Sequence, residues 1–163
     1  MIVVGVDPGS RVTGYGLVAV QGNRRQCVDY GSITGASGQE NTFPERLNRI
    51  HSSLCGIFQR YSPDVVAVED VFYAVNVKSA LRLGHARGVV LLAAAQFGIP
   101  LVEYSPLEVK KAVVGYGRAE KGQIQLMVKR LLNLKESPEP HDAADALAVA
   151  LCHAFRQGKG PKA

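Results

Sequence analysis

Four carboxylates carry the chemistry that this sequence suggests. Asp7 closes the β-branched run from Ile2 and is followed by Pro8-Gly9, a turn that keeps its side chain near solvent. Glu69 closes the run from Asp64 in the same way. Asp142 and Asp145 stand at i and i+3 in the first turn of an expected helix, so they share a face. Gathered without a counter-charge, four acids would repel and raise one another's pKa. A divalent cation removes that cost, and a ligand set made only of oxygen favours Mg²⁺ or Mn²⁺ over zinc. Each acid also has a plainer reading alone: a turn residue, a solvated strand end, or charges favouring a helix N-terminus. Asp145 resists that reading, because Ala144, Ala146, Leu147 and Ala148 around it look buried. Together the four favour a metal site. His141, beside Asp142, is open to three readings: ligand, proton shuttle or surface residue.

The elements that must position these acids follow from the punctuation of the chain. Ile2–Asp7, Thr13–Gln21 and Arg24–Thr34 read as a three-strand antiparallel meander with short turns, one of them at Gly22-Asn23. From Phe43 the period changes, and Leu47, Ile50, Leu54, Ile57 and Phe58 fall on one helical face until Pro63. Asp64–Glu69 is then a buried-type strand reached by a helical crossover, expected parallel to the first, so that Asp7 and Glu69 share the carboxyl edge where open α/β sheets place their sites. A helix from Val77 to Phe97, a strand from Leu101 to Tyr104, and helices over Pro106–Val114, Gln123–Leu132 and Asp142–Phe155 complete the chain. The expectation is an α/β fold with a mixed five-stranded sheet, an antiparallel meander plus two parallel strands, flanked by helices. Residues 1–156 are expected to form a single domain, with 157–163 a short, flexible basic tail.

Composition narrows the function classes. The chain has 163 residues, 47% hydrophobic and 20% charged, which is ordinary for a globular domain. Its longest apolar stretch, Gly88 to Ala95, falls far short of the roughly 20 residues of a membrane span. The N-terminus lacks the pattern of a signal peptide and reads as the first strand, so a soluble, cytoplasmic protein is expected. Three cysteines, with no C-x-x-C, fit neither a disulfide framework nor a structural zinc. The net charge is +5, and it is unevenly placed. Between Lys78 and Arg130, nine basic residues stand against Glu103, Glu108 and Glu120 only. Clustered Lys and Arg suit a polyanion through counterion release, although a solvated helical face has the same signature. Lys78, Arg82, Lys110, Lys111, Arg118 and Lys121 are the candidate phosphate contacts. Lys121, ahead of a helix, is placed to neutralise charge on a phosphate.

Four colinear stretches resemble the RuvC family, the bacterial Holliday-junction resolvases: GVDPGSRVTGYG (Gly5–Gly16), VEDVFYAVNVKSALRLGHARG (Val68–Gly88), VVGYGRAEKGQIQLMV (Val113–Val128) and HDAADALAVA (His141–Ala150). The resemblance runs from Ile2 to about Ala154. It implies a ribonuclease H-like fold acting as a homodimer on four-way DNA junctions, with paired symmetric nicks in strands of like polarity, in recombination and repair. It implies that Asp7, Glu69, Asp142 and Asp145 hold Mg²⁺, two ions per site, with Mn²⁺ able to substitute, and that water hydrolyses the phosphodiester. It also implies a DNA role for Lys110, stacking of Phe72 on unpaired bases with Tyr73 beside it, and association with the branch-migration complex of RuvA and RuvB. Some members carry a His where His141 and Asp142 stand side by side; Asp142 is preferred because it keeps the i, i+3 pairing. The self-association surface expected is the Val77–Phe97 helix, where Leu81, Val89 and Leu92 are apolar and Gly84 and Gly88 permit close approach.

Two rivals accompany this reading. The D-x-G-x-x-x-T-G loop also occurs in actin-like ATPases, but those need a second such domain and a second phosphate loop. A non-catalytic junction-binding protein would use the acids only as caps.

Overall fold

The computed structural model describes residues 1–34, 42–70 and 76–157. Along the chain run β1 (Ile2–Asp7), β2 (Val12–Gln21), β3 (Arg24–Thr34), α1 (Phe43–Tyr61), β4 (Val65–Glu69), α2 (Val77–Gln96), β5 (Leu101–Tyr104), α3 (Pro106–Val114), α4 (Lys121–Leu131) and α5 (His141–Gln157). The five strands form one sheet in the order β3-β2-β1-β4-β5. β1 pairs antiparallel with β2 and parallel with β4, and β4 is parallel to β5. The expected meander with two parallel strands is therefore present.

Strand alternation sorts the core into two layers. On one face Val3, Val18 and Ala67 pack under Leu147 and Leu151 of α5. On the other, Val4, Val6, Leu17, Val66 and Val68 pack under Leu54 and Phe58 of α1 and Val90 of α2. Asp7 continues the Val3-Gly5 parity and Glu69 the Val65-Ala67 parity. Both strand ends thus carry their acid on the α5 face.

Local chemistry fixes the helix ends. Thr42 and Glu45 form a reciprocal capping box at the start of α1, and Ser62 closes it in the left-handed region before Pro63. Ser105 and Glu108 cap α3 in the same way. Several boundaries differ from the sequence expectation by one or two residues, at β2, β4, α2, α4 and α5, and two of these have consequences. α4 begins at Lys121 rather than Gln123, because Gln123 Oε1 accepts the Glu120 N–H at 2.9 Å and closes the turn earlier. α5 runs through Gln157, one residue into the expected tail. Among the described residues, no helix is long and apolar enough to cross a membrane, and Cys27, Cys55 and Cys152 are free thiols.

Candidate active site

The site forms where β1, β4 and α5 end together. Val6 is paired with Val68 across the parallel strands, so Asp7 and Glu69 occupy the next rung at the same edge. On the other side of β1, Asp7 is in register with Gly14 of β2. Gly14 in turn lies directly against the backbone of Asp142, the second residue of α5. A side chain on Gly5 would strike the Ala146 carbonyl and one on Gly16 the Leu147 side chain and backbone nitrogen, so α5 rests close on β1 and β2 along its first turns. That seating carries Asp142 and Asp145 to Asp7. The turn after Asp7 is latched by Thr13, which is fully buried and donates its hydroxyl to the Gly9 carbonyl at 3.0 Å.

These side chains act on one another electrostatically. Burial, then Glu69, Asp145 and Asp142, push the Asp7 carboxyl up to about 8, with Lys121 pulling the other way. Glu69 is raised by burial and by Asp145, against Lys121 and Lys110. Asp145 is raised by burial, opposed mainly by Lys121, with Asp142 adding to the rise. Among the described residues, no three His, Cys, Asp or Glu side chains are closed into a set that would hold an ion as they stand. Half-buried like charges have no reason to close without a cation between them. The donor set itself is all oxygen and anionic, and the repulsion it carries is what a hard divalent cation relieves, so the residues fit such an ion.

The lysines divide into two groups. Lys121, the first residue of α4, and Lys110 of α3 are the cations felt by the acids. Lys78 and Arg82 in the first turns of α2, with Lys111 and Arg118, are exposed and do not act on the three shifted carboxyls. Arg82 instead lies over the Phe43 ring at 5.5 Å. His141 is exposed and hydrogen-bonded through Nδ1 to the Gln125 side-chain amide, and its charge lowers the Asp145 pKa. Phe72 and Tyr73 lie outside the described residues.

Three features escaped sequence reasoning. The Thr13 latch had a signal, the Thr of DPGSRVTG, but no partner to give it meaning. Tyr104 hydroxyl and His153 Nδ1, both buried, meet at 2.7 Å and join β5 to α5. Arg87, read only as one basic residue in a basic stretch, bridges Asp70 and Glu103.

Comparison with known proteins follows the same lines. A family model described as crossover junction endodeoxyribonuclease RuvC matches residues 3–153. The crossover junction endodeoxyribonuclease RuvC of Alkaliphilus oremlandii is 54% identical over 154 residues, covering 94% of this chain and 93% of its own. That of Citrifermentans bemidjiense is 55% identical over 158 residues, covering 97% and 94%. Among solved structures, T. thermophilus RuvC in complex with a Holliday junction substrate superposes with a TM-score of 0.90 at 39% identity, over 98% of this chain and 96% of that one.

Proposed function

The chain belongs to the RuvC family of crossover junction endodeoxyribonucleases, and on that premise we propose that Asp7, Glu69, Asp142 and Asp145 are its catalytic acids. It is a nuclease that resolves Holliday junctions, with a ribonuclease H-like fold and a dependence on metal. The observation that supports the residue assignment is the state of Asp7: burial first, and then three acids from two other segments, push its carboxyl up to about 8, with Lys121 opposing them. Caps and turn residues acting separately would not be coupled in this way, which disfavours the non-catalytic rival.

The metal we assign is Mg²⁺, two ions per site, with Mn²⁺ able to replace it. When bound, such ions supply Lewis acidity to the attacking water and to the leaving 3′ oxygen. The chain's own residues do the rest. Asp7 and Glu69 present carboxylates from rigid strand ends, and Asp142 and Asp145 close over them from the first turn of α5. Lys121 balances the charge that grows on the scissile phosphate, and Lys110 assists from α3. Lys78, Arg82, Lys111 and Arg118 bind backbone phosphates, and Phe72, with Tyr73, stacks on bases at the opened crossover.

A junction has two-fold symmetry, and two matched nicks require two active sites about the same axis. We assign the homodimer contact to α2. Leu81 is 59% exposed and Leu92 52%, and with Gly84, Gly88 and Val89 they line an open groove of about 450 Å³. Residues 1–156 are proposed as one nuclease domain with a short basic tail after it. A cytoplasmic location and association with the branch-migration proteins RuvA and RuvB rest on family membership.

The test is a labelled four-way junction incubated with protein and Mg²⁺, with EDTA, and beside a linear duplex. Paired nicks in strands of like polarity, only with Mg²⁺ and only on the junction, are expected. Saturable ATP binding without cleavage would instead favour the actin-like reading.

A further inference from the structure

Two consecutive acids leave β4 on opposite faces of the sheet. Glu69 keeps the parity of Val65 and Ala67 and faces α5; Asp70 takes the next position and turns toward α2. There Arg87 meets it. Nη1 of Arg87 lies 2.5 Å from Asp70 Oδ1, and Nη2 lies 2.5 Å from Oε1 of Glu103 on β5. The Asp70 N–H also donates to the Tyr104 carbonyl at 2.8 Å, and Tyr104 is the residue in register with Glu69. One guanidinium therefore ties α2 to the ends of β4 and β5, directly behind Glu69.

Arginine suits this task because its fork is planar and always charged, so two carboxylates can be held at fixed angles. Both Arg87 and Asp70 are mostly shielded, at 23% and 20% exposure, so their pairing is less screened than a surface contact. Neither Asp70 nor Glu103 belongs to the acidic site. Released from Arg87, the half-buried Asp70 would be left uncompensated on the residue next to Glu69, with the more exposed Glu103 beside it. The strand exit would lose its lateral anchor as well, and small misplacements at a reacting centre are costly.

We propose that Arg87 is a positioning residue for Glu69: it fixes the β4 exit and neutralises Asp70 and Glu103, so that Glu69 is the acid this strand presents to a divalent cation. The proposal rests on the assignment of Glu69 to the metal site made above. It adds a residue from the opposite face of the sheet, on the helix that carries the exposed apolar surface.

The test compares full-length Arg87→Gln and Arg87→Lys with the unaltered protein. Mn²⁺ binding is read from the free-ion electron paramagnetic resonance signal, junction affinity in EDTA, and folding from thermal melts. Arg87→Gln should weaken Mn²⁺ binding by roughly tenfold, within the range seen when groups outside the ligand set are lost, here through the β4 exit rather than by contact with Glu69, with junction affinity within about twofold. Arg87→Lys should recover part of the loss, because it keeps the charge without the fork; it also carries the comparison if the glutamine variant melts early. In an Asp70→Asn/Glu103→Gln background, Arg87→Gln should change Mn²⁺ affinity by less than about twofold, since its partners are already neutral. The proposal is overturned if both Arg87 variants bind Mn²⁺ like the unaltered protein, or if the loss persists undiminished in that background. Failure of the unaltered protein to bind Mn²⁺ or cut junctions would instead overturn the metal-site reading itself, and this proposal with it.

Discussion

A methyl group on Gly14 would stand 2.0 Å from the carbonyl oxygen of Asp142. No side chain fits there, so β2 and the first turn of α5 touch backbone to backbone. That contact sets how near Asp142 and Asp145 come to Asp7, which is paired with Gly14 across the sheet. Gly14→Ala should lift the N-terminus of α5, cost about 1–3 kcal/mol of stability, and cut cleavage by roughly a hundredfold. Chemical denaturation and junction cleavage measured on one preparation check both numbers. Full activity in a normally folded variant would show that α5 does not need this seating.

Asp7→Asn separates chemistry from binding. The variant keeps the shape of Asp7 and loses the charge, so cleavage should vanish while junction affinity, supplied mostly by Lys and Arg, survives. Metal-free stability should move the other way. The Asp7 carboxyl is raised to about 8 in the fold, from an ordinary aspartate value of about 4. Between those values the native state holds a proton that the unfolded chain has released. Its contribution to stability is complete below about 4 and is lost as pH rises through 8. In EDTA, Asp7→Asn should therefore be more stable than the unaltered protein above pH 8, by roughly 2–5 kcal/mol, and so melt higher, with the gap closing toward pH 4. Adding Mg²⁺ at pH 8 should raise the melt of the unaltered protein and leave Asp7→Asn unmoved. Equal pH profiles for the two proteins would remove Asp7 from the coupled set.

The outer face of α2 gives a prediction about assembly. A Cβ on Gly88 meets nothing within 4 Å inside the chain. Gly88→Leu should leave the monomer's melt nearly unchanged, yet block the approach of a second copy. Leu92→Glu, which places charge on the same exposed face, should do likewise. Sedimentation at micromolar protein is expected to show a dimer for the unaltered chain and a 17.5 kDa species for both variants, with paired nicking lost. A monomeric unaltered protein with full paired nicking would dismiss the dimer assignment.

Phe72→Ala tests recognition at the crossover. Losing a stacking contact of roughly 1–3 kcal/mol per base should lower cleavage by about tenfold with junction binding retained. A junction already carrying unpaired bases at the crossover should restore part of the rate. A core role would instead lower the melt and impair every substrate alike.

Whatever depends on neighbours along the chain was legible in the residues alone. The meander, the Leu47-Ile50-Leu54-Phe58 face of α1, the Pro63 and Pro106 boundaries and the i, i+3 spacing of Asp142 and Asp145 are local patterns, and local physics sets them. Equally legible was that Asp7 and Glu69 end parallel strands, because a helical crossover between two apolar runs leaves few other arrangements. Tertiary structure decided how close the acids come. Gly5, Gly14 and Gly16 stand unremarked within expected strands, and only the seating of α5 gives them their purpose as absent side chains. The same holds for Arg87, whose partners lie 17 and 16 positions away on two different strands, and for Tyr104 and His153, which meet across 49. No periodicity links such pairs. Their contact follows from which face of the sheet each helix covers, a property of the packed layers that no stretch of the chain carries alone.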